Sequence, residues 1–267
     1  MSAALEPMIT DDPYQFDTDQ HNVPLFTRKN MDLIHALLRY DSAYSAAFDT
    51  EDDDSYAGWL HRHGVPTKFD DVERIINQID AANSTHLASQ GRTKGGKGRE
   101  LTAGVICGIK NLKERLSEGD DSLVDEIAKG GGKNKYNFSF ASKFCAYVCL
   151  FARDIGQDKY CIYDNVVSQV LPYYAYLYAD EKTVQKYSHP KRGKVSTVVD
   201  RLTRQQHDYT SYRKLVDAVI AGINQQGMGP SITYADFDQL VWYYFKRDGK
   251  LISDALRYVG KVSSDGN

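Results

Sequence analysis

The chain reads Asn137-Phe-Ser-Phe-Ala-Ser-Lys143-Phe-Cys-Ala-Tyr147 and then Tyr160-Cys-Ile-Tyr-Asp164-Asn-Val-Val167. In the first stretch, aromatic and apolar residues recur at helical spacing, which predicts a helix over about 140–153 with Lys143 near its N-terminal end. Asp164 precedes an apolar run and suits the first turn of a second helix at about 165–178. The sequence therefore predicts an amine on one helix, a short loop, and a carboxylate that opens the next helix.

Helical spacing also dominates the rest of the chain, and strand-like alternation is scarce. Apolar residues recur at three and four in segments that predict further helices at about 31–38, 72–79, 101–116, 121–129, 208–223 and 234–246. The sequence therefore predicts an all-α fold.

The bulk composition is that of an ordinary globular protein, with 267 residues, 42% hydrophobic content and 26% charged residues. One compact unit or two small lobes would fit this length. No apolar run approaches the roughly 18 residues that span a bilayer, and the N-terminal residues lack the pattern of a signal peptide. We therefore expect a cytoplasmic protein with no membrane partner.

Charge is unevenly distributed along the chain. Residues 1–54 hold 12 acidic and 3 basic side chains, whereas residues 55–267 hold 30 basic against 24 acidic ones. We therefore predict an acidic, partly helical N-terminal segment over 1–55 and a helical domain over 56–267, which could meet phosphate. The acidic loop from Asp49 to Ser55 is interpreted as a solvated linker or a mobile segment, with mimicry of DNA charge as the alternative.

A glycine- and lysine-rich loop at 91–98 nearly matches the phosphate-binding loop of nucleotide triphosphatases. It has Gly98 where that loop needs a hydroxyl residue, and no apolar strand precedes it, so the sequence argues against this class of enzyme. Four basic residues on a flexible backbone suit contact with a DNA strand instead, and an ordinary surface loop is the alternative. They are Arg92, Lys94, Lys97 and Arg99.

Nothing in the spacing of the four cysteines predicts an iron–sulfur cluster or a zinc site. Cys145 and Cys149 lie four apart on a predicted helix, which would allow a shared metal, but we interpret them as small buried core residues. His61 and His63 lack further ligands nearby. We expect no metal site.

The segment 133–178 resembles the active-site region of helix-hairpin-helix DNA glycosylases of the 8-oxoguanine type, in a divergent bacterial branch. In that superfamily a hairpin docks on a DNA phosphate, a lysine begins the following helix, and an aspartate comes about twenty residues later. Lys143 and Asp164 match the last two features, with the flanks Phe-Ser-Phe-Ala-Ser and Ile-Tyr. The resemblance implies a helical glycosylase fold, which could form two lobes with the active site between them.

The superfamily's glycine-containing hairpin is replaced here by Asn137-Phe-Ser139-Phe-Ala141. Glycine permits close approach to phosphate, so the change to serine and alanine alters the docking surface. Small side chains would still let DNA approach, and the resemblance thus implies DNA contacts at Ser139, Ala141 and Ser142.

The resemblance implies an enzyme that flips a damaged base out of double-stranded DNA and excises it. Lys143 would attack the sugar and form a Schiff base, giving strand cleavage by β-elimination, and Asp164 would stabilise positive charge or move protons. If Lys143 only positions the substrate, Asp164 would activate water. Neither a metal nor an organic cofactor is required, and no obligate protein partner is implied.

Base recognition calls for stacking and hydrogen bonding around the extruded base, and 19 tyrosines offer candidates. The notable candidates are Tyr173, Tyr174 and Tyr176, with ordinary core or surface packing as the alternative. A basic stretch over 186–194 would hold the DNA backbone, with a solvated loop as the alternative. Its DNA-contacting candidates are Lys191, Arg192 and Lys194.

Three other functions remain open. The first is excision of a hypermodified, for example glucosylated, pyrimidine from phage DNA, which would make a repair fold an antiviral defence enzyme. The second is a noncatalytic helix-hairpin-helix module that only grips DNA, for which Lys143 would be dispensable. The third is a structural or protein-interaction role, which only the acidic N-terminal segment supports.

Overall fold

The computed structural model describes residues 16–19, 23–40, 48–83, 87, 98–131, 136–179, 182–183 and 208–247. In these ranges the regular secondary structure is helical, apart from an isolated bridge between Thr18 and Pro24. The all-α prediction is therefore confirmed. None of the helices in these ranges combines the length and the apolar character that crossing a membrane would need.

Ten α-helices lie in the described ranges, together with a short 3-10 turn at Lys129–Gly131. They are α1 Arg28–Tyr40, α2 Tyr56–His63, α3 Phe69–Asn83, α4 Gly98–Gly108, α5 Leu112–Glu118, α6 Asp121–Ala128, α7 Phe138–Phe151, α8 Asn165–Tyr178, α9 Tyr209–Gln226 and α10 Tyr234–Arg247.

Two compact units divide the chain. The first unit comprises Met1–Ser45, Asp164–Arg201 and Tyr212–Asn267, and the second comprises Ala46–Tyr163 and Leu202–Ser211. The acidic N-terminal segment is therefore shared between the two units.

The described core of the first unit is formed by α1, α8, α10 and the part of α9 that begins at Tyr212. The rings of Phe26 and Phe237 stack with centroids 5.5 Å apart, and the buried Tyr174 meets both rings edge-on. The Tyr174 hydroxyl donates to the carbonyl oxygen of Pro24 at 2.9 Å. Aromatic packing and a satisfied hydroxyl thus join α8 to the arm that precedes α1.

Asn30 anchors that N-terminal arm to α1. Its side chain is fully buried, and its Oδ1 accepts the backbone N–H of Asp17 at 2.7 Å. Its Nδ2 donates to the carbonyl oxygens of Asp17 and Leu25, each at 2.7 Å. Because a buried amide must be satisfied, these three bonds specify the path of the described arm.

In the second unit, α7 is the central helix and packs against α2, α3, α5 and α6. Its side chains from Phe140 to Cys149 are all buried, as expected for a helix that is apolar on nearly every face. Because Lys143 belongs to this helix, its side chain lies in the interior of the unit.

The acidic loop before α2 is built into the second unit. Its carboxylates are exposed, as expected of a solvated loop, but Ser55 caps α2 by accepting the Gly58 N–H at 2.8 Å. Gly58 lies so close to the loop that an added Cβ would stand 2.0 Å from the carbonyl oxygen of Asp52. The side chains of this loop are thus solvated, while its backbone packs against the first turn of the helix that follows.

The helix expected over 101–116 is two helices, α4 and α5. Asn111 stands between them with φ 55°, a left-handed conformation that interrupts the helical hydrogen bonds. Asparagine is one of the residues that adopt this conformation at low cost.

Candidate active site

Lys143 lies in the second turn of α7, close to the predicted position. Its side chain is only 4% exposed, and it is the one buried lysine or arginine among the residues whose side chains the structure describes. The neighbouring rings of Phe140 and Phe144 are buried as well. Lysine is almost never fully buried unless its amine has a specific interaction, so this position requires a structural or chemical explanation.

Asp164 caps the helix that follows, which belongs to the first unit. Its backbone is extended, and its Oδ1 accepts the N–H of Val167 at 2.7 Å. A carboxylate at this position satisfies one of the unpaired N–H groups of the first turn and meets the positive end of the helix dipole. Asp164 is therefore buried in a fixed orientation, as the apolar run after it predicts.

Ser142 ties α7 to the segment that leads into Asp164. Its Oγ accepts the backbone N–H of Tyr163 at 3.0 Å, and both residues are buried within the second unit. The hydroxyl can donate to the carbonyl oxygen of Ser139 at 3.1 Å or of Tyr163 at 3.3 Å. Thus the residue before Lys143 holds the residue before Asp164.

Aromatic rings reinforce that tie at the start of α7. The Phe138 ring meets Tyr163 edge-on at 5.0 Å and lies 5.8 Å from the ring of Tyr209. The Tyr209 hydroxyl donates to the carbonyl oxygen of Cys161 at 2.8 Å. The segment before Asp164 is therefore held by a side-chain hydrogen bond at each end of a three-residue stretch.

Sequence reasoning missed a carboxylate beside this packing, Asp125 of α6. The Tyr136 hydroxyl donates to it. Burial and the nearby carboxylate of Asp208 raise the pKa of Asp125, while the hydrogen bond from Tyr136 and the charge of Lys129 act in the opposite direction. The missed signal is weak, because a lone aspartate on an amphipathic helix ordinarily faces solvent.

The segment expected to replace the hairpin, residues 137–141, is the N-cap and first turn of α7 instead. The Ala141 N–H donates to the Asn137 carbonyl oxygen at 2.9 Å, which is the first bond of the helix. Ala141 and Ser142 are fully buried, so we omit both from any DNA-contacting surface. Ser139 is partly exposed and stays a candidate.

Most of the predicted basic DNA contacts lie outside the described residues. The exception is Arg99, whose Nε and Nη2 lie 3.0 and 2.5 Å from Oδ2 of the buried Asp80. Asp80 also accepts the N–H of Leu87 through Oδ1. Arg99 thus compensates a buried carboxylate, a structural role that the sequence did not predict. The predicted DNA contacts that lie outside the described residues are Arg92, Lys94, Lys97, Lys191, Arg192 and Lys194.

The three base-pocket tyrosines differ in their surroundings. Tyr173 and Tyr174 are buried in the first unit, where their hydroxyls donate to Asp19 and to Pro24. Both therefore lie in the core of the first unit, and their contact with the base stays a prediction. Tyr176 is 44% exposed and stays available for stacking.

Among the described residues, no group of three or more histidine, cysteine, aspartate or glutamate side chains is arranged to hold a metal ion. The four cysteines form no disulfide, and Cys145 and Cys149 are buried in α7. Burial raises the pKa of the Cys145 thiol well above its ordinary value, which favours the neutral, unreactive form.

Comparison with known proteins finds partial matches whose names state no function. The family HI_0787_N, described as an N-terminal domain, matches residues 41–150, a range that contains Lys143 and ends before Asp164. A Haemophilus influenzae protein named "Uncharacterized protein" is 35% identical over 151 residues. That match covers 56% of this chain and 58% of the relative, so the chain spans less than two thirds of the relative's length. No solved structure matches the chain.

Proposed function

We propose that the protein is a DNA glycosylase of the helix-hairpin-helix superfamily, which excises a damaged or modified base from double-stranded DNA. The observation that carries the proposal is the bond between Ser142 and Tyr163, because it couples the backbone beside Lys143 to the backbone beside Asp164. Catalysis by two groups requires that each be held in a defined orientation. Two observations support the proposal: α7 is held by its packing in the second unit, and Asp164 is held by its bond to the Val167 N–H.

The proposed reaction begins when the neutral amine of Lys143 attacks C1′ of an extruded nucleotide. The bond between C1′ and the base breaks, and the base leaves with the electron pair and takes up a proton. The amine loses a proton and the sugar ring opens to a protonated imine. Loss of a C2′ proton then expels the 3′ phosphate, and water hydrolyses the imine to release the lysine.

Asp164 supports this reaction electrostatically. As the base departs, positive charge develops on the sugar, and a carboxylate in a fixed orientation stabilises it without reorganisation. The bond from the Val167 N–H engages Oδ1 and fixes the plane of the carboxyl group. Asp164 also serves as the acceptor for protons moved to and from Lys143.

Burial of Lys143 sets a condition on the proposal. With only 4% of the side chain exposed, a nucleotide reaches the amine only after local opening around α7. We propose that binding of DNA with its flipped base drives this opening in the cytoplasm and that no cofactor takes part. The substrate class is an oxidised purine, with a hypermodified pyrimidine as the variant that a defence enzyme would remove.

Borohydride trapping tests the proposal. Purified protein is incubated with duplexes that carry 8-oxoguanine, an abasic site or glucosylated hydroxymethylcytosine, with Lys143→Ala, Asp164→Asn and Lys110→Ala beside it. Lys110 is an exposed lysine of the same unit and serves as the control. We expect a covalent adduct that the control retains and Lys143→Ala loses. If no duplex gives release or trapping, the protein is not such a glycosylase.

A noncatalytic DNA-binding module is the second candidate, and the buried positions of Lys143 and Asp164 favour it. In that case Lys143 would stabilise the helix packing, and Asp164 would serve only as a cap. Lys143→Ala would then lower the melting temperature while the protein still bound duplex DNA in a salt-dependent manner. Binding without release across the whole panel would identify this function.

A further inference from the structure

We infer that Arg62 of α2 and Arg74 of α3 form a phosphate-binding surface for duplex DNA, and that the acidic loop Asp49–Asp54 covers this surface as an autoinhibitory contact. All of these residues belong to the second unit. The inference rests on the proposed function for its partner, DNA. It gives the alternative that the loop mimics DNA charge a definite form, because it names the two arginines for which loop and phosphate compete.

Arg62 holds the middle of the loop by two contacts. Its Nε lies 2.6 Å from Oδ1 of Asp53, and its Nη2 donates to the carbonyl oxygen of Glu51 at 2.7 Å. Arg62 lies in the last turn of α2, and side chains tilt toward the N-terminus of their helix. Its long side chain can therefore extend back along α2 to the loop that precedes the helix.

Arg74 holds the adjoining part of the loop. Its Nη2 donates to the Asp53 carbonyl oxygen at 2.9 Å and lies 3.8 Å from Oδ1 of Asp54. One turn further along α3, Gln78 Nε2 donates to the Asp54 carbonyl oxygen at 2.6 Å. Two helices thus direct cationic side chains at two successive carboxylates of one short segment.

These ion pairs lie at the surface. Each arginine side chain is 44% exposed, and the side chains of Asp53 and Asp54 are 50% and 96% exposed. Exposed pairs of this kind contribute little to stability, so a change of partner costs little. A DNA phosphate offers anionic oxygens that a guanidinium group binds through paired hydrogen bonds. Phosphates can therefore replace the two loop carboxylates on the arginines.

The remaining charge of the loop opposes DNA binding while the loop is in place. Asp49–Asp54 holds five acidic residues and no basic one, and all five acidic residues are exposed. The two arginines can neutralise only two of these charges, which leaves a negative potential toward phosphates. The loop should therefore weaken binding to undamaged DNA, where no flipped base adds contacts of its own.

Asp53 and Asp54 are the residues to change, because other acidic side chains of the loop have structural roles. The carboxylates of Asp49 and Asp52 accept the N–H groups of Glu51 and Asp54 at 2.8 and 2.9 Å. Asparagine at positions 53 and 54 leaves both of these turns intact and removes two charges. The fold of the loop should therefore survive the change, and circular dichroism checks it.

The experiment measures the Kd of the full chain for an undamaged, fluorescein-labelled duplex by fluorescence anisotropy, from about 50 to about 200 mM salt. We expect Asp53→Asn/Asp54→Asn to lower Kd on the order of 10-fold at the low-salt end, because two further phosphates are neutralised. The slope of log affinity against log salt should steepen by about 2 for the same reason. The charge-matched control is Glu114→Gln/Glu118→Gln, which changes two exposed carboxylates of α5 in the same unit.

Two comparisons decide the outcome. Arg62→Gln/Arg74→Gln, added to Asp53→Asn/Asp54→Asn, should cancel the gain in affinity. A gain that survives the loss of both arginines, or an equal gain in the α5 control, overturns the inference alone, since net charge then sets the affinity. A gain that needs the arginines in a protein that traps no duplex supports the surface and overturns the glycosylase. Absence of binding to every duplex, damaged or undamaged, overturns both.

Discussion

Ser142 Oγ lies 3.0 Å from the backbone nitrogen of Tyr163 and accepts its N–H in the interior of the second unit. Removal of this hydroxyl leaves a buried donor without its acceptor, which costs about 1–3 kcal/mol. We expect Ser142→Ala to lower the free energy of unfolding by that amount in urea denaturation. Ser139→Ala, on the same helix and partly exposed, is the matched control. Equal stabilities of the two variants would mean that the Tyr163 N–H finds another acceptor.

Arg99 compensates the buried charge of Asp80, so removal of the Arg99 side chain should lower the free energy of unfolding. Arg99→Ala leaves an ionised carboxylate in the interior, and breaking a buried pair in this way costs about 3–5 kcal/mol. Arg62 makes a similar contact at 2.6 Å to Asp53, but both side chains are about half exposed. For Arg62→Ala we expect a loss of about 0–1 kcal/mol. Chemical denaturation measures the free energy of unfolding of both variants. A larger loss for Arg99→Ala would show that burial of the ion pair, and not pairing alone, sets the cost.

Gly222 of α9 lies against α8 within the first unit, and an added Cβ would stand 1.8 Å from the Tyr178 carbonyl oxygen. Because the obstacle is backbone, Gly222→Ala should force the helices apart and lower the melting temperature strongly. Gly104 of α4 has open space around the same position. Alanine there should stabilise the protein by about 0.5–1 kcal/mol, since it favours the helix. We therefore expect thermal unfolding to give a melting temperature below that of the wild type for Gly222→Ala and above it for Gly104→Ala.

The raised pKa of Asp125 also predicts how stability depends on pH. The folded state binds this proton more tightly than the unfolded state, so stability falls as pH rises from the unfolded pKa of 3.8 through the raised folded value. Asp125→Asn removes the titration, and its melting temperature relative to the wild type should therefore increase over that interval. A difference between the two melting temperatures that does not change with pH would contradict the shift.

Helix positions were predictable because apolar periodicity records burial. The predicted helices at 140–153 and 165–178 are Phe138–Phe151 and Asn165–Tyr178 in the structure. The first of these placed Lys143 near a helix start, and the run after Asp164 placed the carboxylate at the start of the next helix. The local pattern was therefore sufficient to predict where Lys143 and Asp164 lie in their helices.

Some local signals were present but missed. Ser55 precedes apolar residues at Tyr56, Trp59 and Leu60, and this spacing is typical of a helix with an N-cap serine. Nevertheless, α2 is absent from the helices predicted from the sequence. Asn111 is a possible helix terminator inside an otherwise continuous pattern, and it divides the helix expected over 101–116. Short helices and single left-handed residues weigh little in a periodicity argument, so both errors have the same cause.

Long-range partners could not be predicted in this way. Neither Cys161 with Tyr209 nor Asp80 with Arg99 has a spacing that marks the two residues as neighbours. The same holds for Tyr173 and Tyr174, whose roles depend on Asp19 and Pro24 of the N-terminal arm. Such contacts follow from packing, which one sequence does not record.

The order in which the units' segments occur along the chain bears on synthesis at the ribosome. Residues 46–163 emerge as one stretch, but the second unit also needs Leu202–Ser211, which carries the Tyr209 that bonds to Cys161. The first unit needs Tyr212–Asn267 together with an arm that is translated much earlier. Nascent chains fold as units when their segments are complete. Completion of both units therefore awaits late translation, and chains stalled before residue 202 should expose the Phe138 ring to chaperones.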